Sequence, residues 1–214
     1  MENNTPYLVG VAGGSASGKT SIINALVSQF DANQIALISQ DNYYFDRALQ
    51  HRDENDEVNF DLPTAIDREA LVKDVSQLMS LNKVTKKEYT FNNPAAEAKI
   101  VSISPAPILI VEGLFVFHYT ELASRMDLKV YIDALEEVKL KRRILRDLTE
   151  RGYPESDVRY RWKNHVMPAY RNYLKPHKSH CDFVLNNNVN YEKGLSVLTN
   201  HLKATLTTRK TELA

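Results

Sequence analysis

Short apolar runs alternate with amphipathic segments along the whole chain, which predicts an α/β fold with a parallel sheet covered by helices on both faces. Three observations carry this. Tyr7-Leu8-Val9-Gly10-Val11-Ala12 is an apolar run that ends in glycines, as a buried strand does. Residues 20–30 follow with Ile22, Ile23, Leu26, Val27 and Phe30 at helical spacing. Ile108-Leu109-Ile110-Val111 is the most strongly strand-like segment of all.

The other elements follow in order. Residues 35–39 read as a second buried strand. Residues 41–63 are polar, aromatic and rich in turn formers, and read as a long loop; a loop of that length in a compact domain usually carries function. A helix over 67–81 places Leu71, Val75, Leu78 and Met79 on one face. Segments 83–89 and 101–104 flank Asn92-Asn93-Pro94 and predict a small projecting β-hairpin, an insertion of about 83–104. Residues 128–132 are the next strand. A helix over 135–151 carries Leu140, Ile144 and Leu148 at i, i+4, i+8, with Gly152 and Pro154 as its stop signal. A further helix over 157–173 has Val158, Trp162 and Val166 on one side, and Pro168 disturbs its second half. A short strand at 183–185 and a helix over 191–206 close the chain. No internal repeat, low-complexity tract or linker interrupts this order, so residues 1–214 are expected to form a single domain.

The chain has 214 residues, which suits one α/β domain. With 27 basic and 27 acidic residues the net charge is zero, and nothing global points to nucleic acid as a partner. One cysteine, Cys181, excludes an intrachain disulfide and suggests a reducing compartment. The polar start Met1-Glu2-Asn3-Asn4 is unlike a signal peptide, and Glu112 interrupts the longest apolar stretch, so no membrane span is expected. These features predict a cytoplasmic protein with no membrane partner.

Gly13-Gly14-Ser15-Ala16-Ser17-Gly18-Lys19-Thr20 fits G-x-x-x-x-G-K-[ST] between a strand and a helix. The glycines let backbone N–H groups wrap a phosphate, and the helix N-terminus adds positive potential. Lys19 can reach the β- and γ-phosphates and Thr20 can offer its hydroxyl to Mg²⁺. The motif makes the fold a P-loop NTPase type and identifies a nucleotide-phosphate binder. Glu112 ends an apolar strand, where open α/β sheets place their ligands; it is a candidate Mg²⁺ residue, or an ordinary solvated acid.

Asp41, just after the second strand, is the candidate general base for phosphoryl transfer to an alcohol, or a turn aspartate. Asp61, in Asn59-Phe60-Asp61-Leu62-Pro63, could accept hydrogen bonds from a diol such as a ribose, or serve a turn. Acids in the acceptor loop favour a neutral polyol over an acceptor that already carries phosphate. Lys139, Lys141, Arg142, Arg143, Arg146 and Arg151 crowd one helix. They form either a solvated face of i, i+4 ion pairs with Asp147 and Glu150, or a lid over about 143–175 that brings arginines to the transferring phosphate.

Together the P-loop, Ser-Gln-Asp of 39–41, Tyr44, Asn-Phe-Asp-x-Pro of 59–63, Glu-Gly of 112–113 and Arg-Arg-x-x-Arg-Asp-x-x-x-Arg-Gly of 142–152 resemble the uridine–cytidine kinases, within the wider uridine kinase and phosphoribulokinase group. The resemblance runs from about residue 7 to 190. It implies that Asp41 is the catalytic base, that Asp61 binds the ribose hydroxyls, and that Arg143 contacts the acceptor. Lys19, Arg146 and Arg151 would contact phosphates, and Thr20 and Glu112 would organise Mg²⁺. Tyr44, Phe60, Tyr89 and Phe91 would form the base pocket, and Asn190 would fall near adenine. The implied reaction is ATP plus uridine or cytidine giving the monophosphate and ADP, in a family whose members are often homotetramers.

Three positions depart from the family pattern. Pro94 stands where a histidine reads the pyrimidine edge, Tyr153 where a second arginine helps bind the nucleoside, and Arg161 where a glutamine completes the pocket. A hairpin bent over the site would bring Asn93 or His118 there instead. A kinase for another ribosyl or sugar-like alcohol, or a non-catalytic nucleotide-binding regulator, is the alternative. A GTPase-type switch is disfavoured, since no D-x-x-G follows the metal strand and no N-K-x-D is present.

Overall fold

The computed structural model describes residues 5–90 and 97–212. Its main sheet has five parallel strands in the order β2-β5-β1-β6-β7: β2 (Ile35–Ser39), β5 (Ile108–Gly113), β1 (Tyr7–Gly13), β6 (Leu128–Asp133) and β7 (Phe183–Asn186). β1 is central; the chain leaves it toward β2 on one side, while β6 continues to β7 on the other. Such a switch of direction opens a crevice at the carboxyl ends of the strands.

Strand alternation sorts the apolar residues onto two faces. Leu8, Ala12, Ile38, Leu109 and Val111 face one core with α2 (Arg68–Met79) and the segment 115–122. Val9, Val11, Ile108, Ile110, Val130 and Ile132 face the other, under α1 (Lys19–Val27) and the long C-terminal helix α8 (Glu192–Glu212). β3 (Val84–Lys87) and β4 (Ile100–Ile103) pair antiparallel beside the main sheet, at the two segments expected to form a hairpin. The intervening Phe91, Asn93 and Pro94 lie outside the described residues. After β5 come the one-turn α3 (Thr120–Ala123) and, beyond β6, α4 (Glu136–Glu150). Among the described residues no helix is long and apolar enough to cross a membrane.

α4 overturns one expectation. Leu140, Ile144 and Leu148 read as its apolar face, yet Leu148 is 53% exposed and the other two are only half-buried. The face turned inward is Lys139, Arg143 and Asp147, at 3%, 9% and 3% exposure. Leu140 makes a smaller apolar contact with Trp162, Val166 and Met167. The helix packs against the phosphate loop rather than the sheet, and that surface is polar.

Beyond Gly152, which takes a left-handed φ of 68° as the helix stop, the chain is helical from α5 (Glu155–Arg161) to α7 (Lys175–Lys178). Two π-helical turns interrupt it, Trp162–Val166 and Tyr170–Leu174, either side of α6 (Met167–Ala169). Each π turn precedes a proline, Pro168 or Pro176. A proline has no N–H and its ring crowds the carbonyl four residues back, so a widened turn relieves both problems. Pro168 therefore widens the helix without ending it.

Leu109, fully buried between β1 and β2, and Leu148 make a direct comparison. Leu109→Ala is expected to cost about 2–5 kcal/mol in urea unfolding, and Leu148→Ser less than about 0.5 kcal/mol.

Candidate active site

The site forms where β1, β2 and β5 end level. The parallel register sets Ser39 and Val11 opposite Glu112, and Ala12 opposite Gly113. β1 runs into the phosphate loop, where Ser17 N–H donates to Gly14 C=O at 3.0 Å. Gly18 has φ 97°, a backbone that L side chains rarely adopt. A Cβ there would also lie 2.2 Å from Asn187 Nδ2. That close approach has a purpose. Asn187, buried just past β7, donates from Nδ2 to Ser17 C=O at 2.8 Å and from its backbone N–H to Asp133 C=O at 2.7 Å. A trans peptide points C=O and N–H in opposite directions, so holding the Ser17 carbonyl turns the Gly18 N–H toward the loop interior.

At the head of α1, Lys19 Nζ lies 3.6 Å from Glu112 Oε2, and the Ser39 hydroxyl donates to Glu112 Oε1. Ser39 Oγ also accepts the Asp41 N–H at 3.3 Å. Buried Gln40 accepts the Phe115 N–H at 2.9 Å and packs so closely on Gly113 that a Cβ there would meet it at 2.4 Å. The Ser39-Gln40-Asp41 turn is thus fastened to β5 from both sides. Burial, and then the charge of Glu112, push the Asp41 carboxyl up to about 6, against the opposing pull of Lys19, Arg151 and Arg146.

Two carboxylates this close mark a place for a cation. Thr20, Ser39, Asp41 and Glu112 offer only hard oxygens, which fits Mg²⁺. Among the described residues no group of three or more His, Cys, Asp or Glu side chains could hold a metal unaided.

Residues 14–20 line a single cavity of about 670 Å³ together with Asp41, Tyr44, Phe60, Asp61, Arg143, Arg146 and Arg151. Gly13 sits below it at the end of β1. Tyr44 is edge-on to Phe60 at 5.8 Å and tilted against Tyr89 at 5.4 Å. Burial and the nearby Asp41 and Asp61 raise the Tyr44 phenol well above its ordinary value. The Asp61 N–H donates to Asn59 Oδ1 at 2.9 Å, a local turn that presents Asp61 to the cavity.

Asp147 gathers the arginines. Arg146 Nη2 lies 2.7 Å and Arg151 Nη1 3.6 Å from its Oδ1, and Arg143 Nε 3.3 Å from its Oδ2. Arg143 Nη1 also donates to Ser15 Oγ at 2.8 Å, which docks α4 on the phosphate loop. Arg143 is therefore buried against the phosphate loop, while Arg146 is half-buried and Arg151 exposed at the cavity rim, both paired with Asp147.

The acceptor loop is tied to the next helix as well. Asp53 Oδ2 bonds His165 Nε2 and the Tyr160 hydroxyl, each at 2.7 Å, and Arg161 Nη2 donates to Glu57 at 3.1 Å. Arg161 also stacks 4.8 Å from the Tyr153 ring, so two of the positions that depart from the family pattern meet on the cavity wall. His118 instead packs on Tyr173 and His177 at 5.1 and 5.9 Å, away from the cavity lining. Asn190 is exposed and also off that lining.

The sequence alone assigned no role to Asn187, and it named Gln40 and Asp147 only within motifs and surface pairs. Asn187 had a signal, since it directly follows a strand's carboxyl end. Asp147 read as one half of a surface pair, and its burial is a tertiary fact.

Asn187→Asp keeps the shape but removes the donor to the Ser17 carbonyl. ADP affinity, read by calorimetry, is expected to fall about tenfold, in line with the loss of one hydrogen bond of about 1.4 kcal/mol.

The sequence matches the family model for the Phosphoribulokinase / Uridine kinase family over residues 8–191. It is 30% identical over 205 residues to a uridine kinase of Clostridium novyi, covering 96% of this chain and 99% of that protein. It is 32% identical over 185 residues to one of Bacillus mycoides, covering 86% and 87%. In fold it is similar to phosphoribulokinase from Rhodobacter spheroides, with TM-score 0.63 at 20% identity, over 86% of this chain and 70% of that one. It is also similar to D-glycerate 3-kinase from Cryptococcus neoformans, with TM-score 0.58 at 15% identity, over 85% and 86%. The chain belongs to the phosphoribulokinase/uridine kinase family and is a phosphotransferase acting on an alcohol group, with the use of ATP that membership of a kinase family implies.

Proposed function

We propose that this enzyme uses Mg-ATP to phosphorylate the 5′-hydroxyl of a pyrimidine nucleoside, uridine or cytidine, as a cytoplasmic salvage reaction. One observation supports this above the others: a single cavity joins the phosphate loop to Asp41, Asp61 and the aromatic wall of Tyr44 and Phe60. The uridine kinases among its relatives point the same way.

Each residue has a physical task in this reading. Asp41 accepts the proton of the attacking hydroxyl, and its raised pKa near 6 keeps it ionised at neutral pH yet basic enough to take that proton. Asp61 accepts hydrogen bonds from the ribose diol, and the rings of Tyr44 and Phe60, backed by Tyr89, cover the base. Lys19, Arg146 and Arg151 supply positive charge where phosphate charge develops, and Arg143 orients the acceptor. Thr20 and Glu112 would hold Mg²⁺, which would neutralise the charge that develops on phosphate. Residues 143–175 act as the lid of a single domain.

A second reading, a kinase for a different ribosyl or sugar-like alcohol, draws on the stacked Tyr153 and Arg161, which stand where the family reads the base. The two are separated by ADP release with Mg-ATP, scanned across uridine, cytidine, purine nucleosides and pentoses. Stimulation by uridine or cytidine is expected. Stimulation by a pentose alone would keep the chemistry and replace the acceptor.

Asp41→Asn is expected to leave ADP binding nearly intact and lower kcat by about 10²–10⁴-fold. Because ionised Asp41 is the active form, wild-type kcat/KM for ATP should rise with pH, centred on about pH 6, and level off toward neutral pH. A flat profile from pH 5 to 8 would remove Asp41 as the base.

A further inference from the structure

Lys139 is 3% exposed, on the inward face of α4. Its Nζ lies 4.0 Å from the centroid of the Tyr170 ring. Its stem and head lie against Gly14, where an added Cβ would meet Nζ at 3.4 Å and Cδ at 3.6 Å. Among the described residues it has no carboxylate within ion-pair distance and no hydrogen bond. The acids whose field it feels are otherwise placed: Asp133 is bound by Lys178 at 2.5 Å, and Glu136 is exposed on the first turn of α4. Lys19, Arg143, Arg146 and Arg151 have acids of their own, Glu112 for the first and Asp147 for the other three, whereas Arg142, on the cavity wall, has no ion pair among the described residues. Burial lowers the Lys139 pKa, and Asp133 and Glu136 restrain the fall.

A buried ammonium with no counter-ion is costly, and one aromatic ring offsets only part of that cost. A purely structural site would be served at least as well by an apolar side chain of the same length. Gly14 is the second residue of the phosphate loop and has no side chain, so no side-chain atom of its own stands between Nζ and the loop interior.

We propose that Lys139 is a fixed positive charge beneath the phosphate loop, and that its counter-ion is the phosphate chain of the bound nucleotide. It is a positioning residue that acts across Gly14 by its field. The proposal rests on the reading that nucleotide phosphates occupy residues 13–20. It implies that the ligand-free protein carries an electrostatic penalty that nucleotide binding relieves.

The test uses Lys139→Met, with Lys139→Gln as a second neutral variant. AMP, ADP and ATP affinities are measured by calorimetry with Mg²⁺, and the urea midpoint without ligand. The expected result is an ADP affinity about tenfold lower, a loss that grows from AMP to ATP, and a ligand-free midpoint for Lys139→Met equal to or above wild type. A merely structural lysine would lower the midpoint and weaken all three nucleotides equally, and that pattern would overturn the proposal. So would ADP affinities within twofold of wild type in both variants. Wild-type protein that bound no ADP would overturn the nucleotide-site reading together with this one.

Discussion

The parallel register of β2, β5 and β1 is the constraint on which the site depends. It brings Ser39 level with Glu112, and sets both beside the strand that feeds the phosphate loop. A slip of one residue would turn every side chain of a strand to the opposite face. Both faces of this sheet are buried, and Leu109 and Ile110 are committed to different cores, so the register is strongly specified. The carboxylates Asp41 and Glu112 then share one neighbourhood because backbone hydrogen bonds hold them there, whatever their mutual repulsion.

That repulsion is put to use. Asp41 keeps a raised pKa because it is buried and because Glu112 is near, while Lys19 and the arginines keep the shift moderate. The same pattern recurs on α4, where a single buried carboxylate, Asp147, gathers three guanidinium groups. Breaking such a buried network by removing one partner leaves uncompensated charge, so its members hold one another in place. Arg143 carries that network to Ser15, which makes the helix a wall of the phosphate loop.

The acceptor loop is held from outside in a comparable way. Asp53, with His165 and Tyr160, joins residues 51–58 to the helix that follows the arginines. The two widened turns of that helix fall next to its prolines, and His165 lies in the first of them. The loop of residues 51–58 and the helical segment after α4 are therefore mechanically linked.

Much of this was legible in the residues. Strand runs, helix spacing and the Gly152 stop are local signals, and local chemistry produces them. The phosphate loop is legible because its residue types and spacing are fixed beside a strand end, and Asp41 because it directly follows another. α4 was legible as a helix but not in its orientation, since Leu140, Ile144 and Leu148 share a face as plausible as that of Lys139, Arg143 and Asp147. Only the surface against which the helix packs decides between them, and here that surface is the phosphate loop. Asn187 and Lys139 belong to the same class: no neighbour in sequence marks either as buried, and both lie against loop residues more than a hundred positions away. The sequence by itself determined the elements, the phosphate loop and the acids at the strand ends. The tertiary structure decided which charges are buried and what they face, because burial is a property of two surfaces brought together and no single segment encodes it.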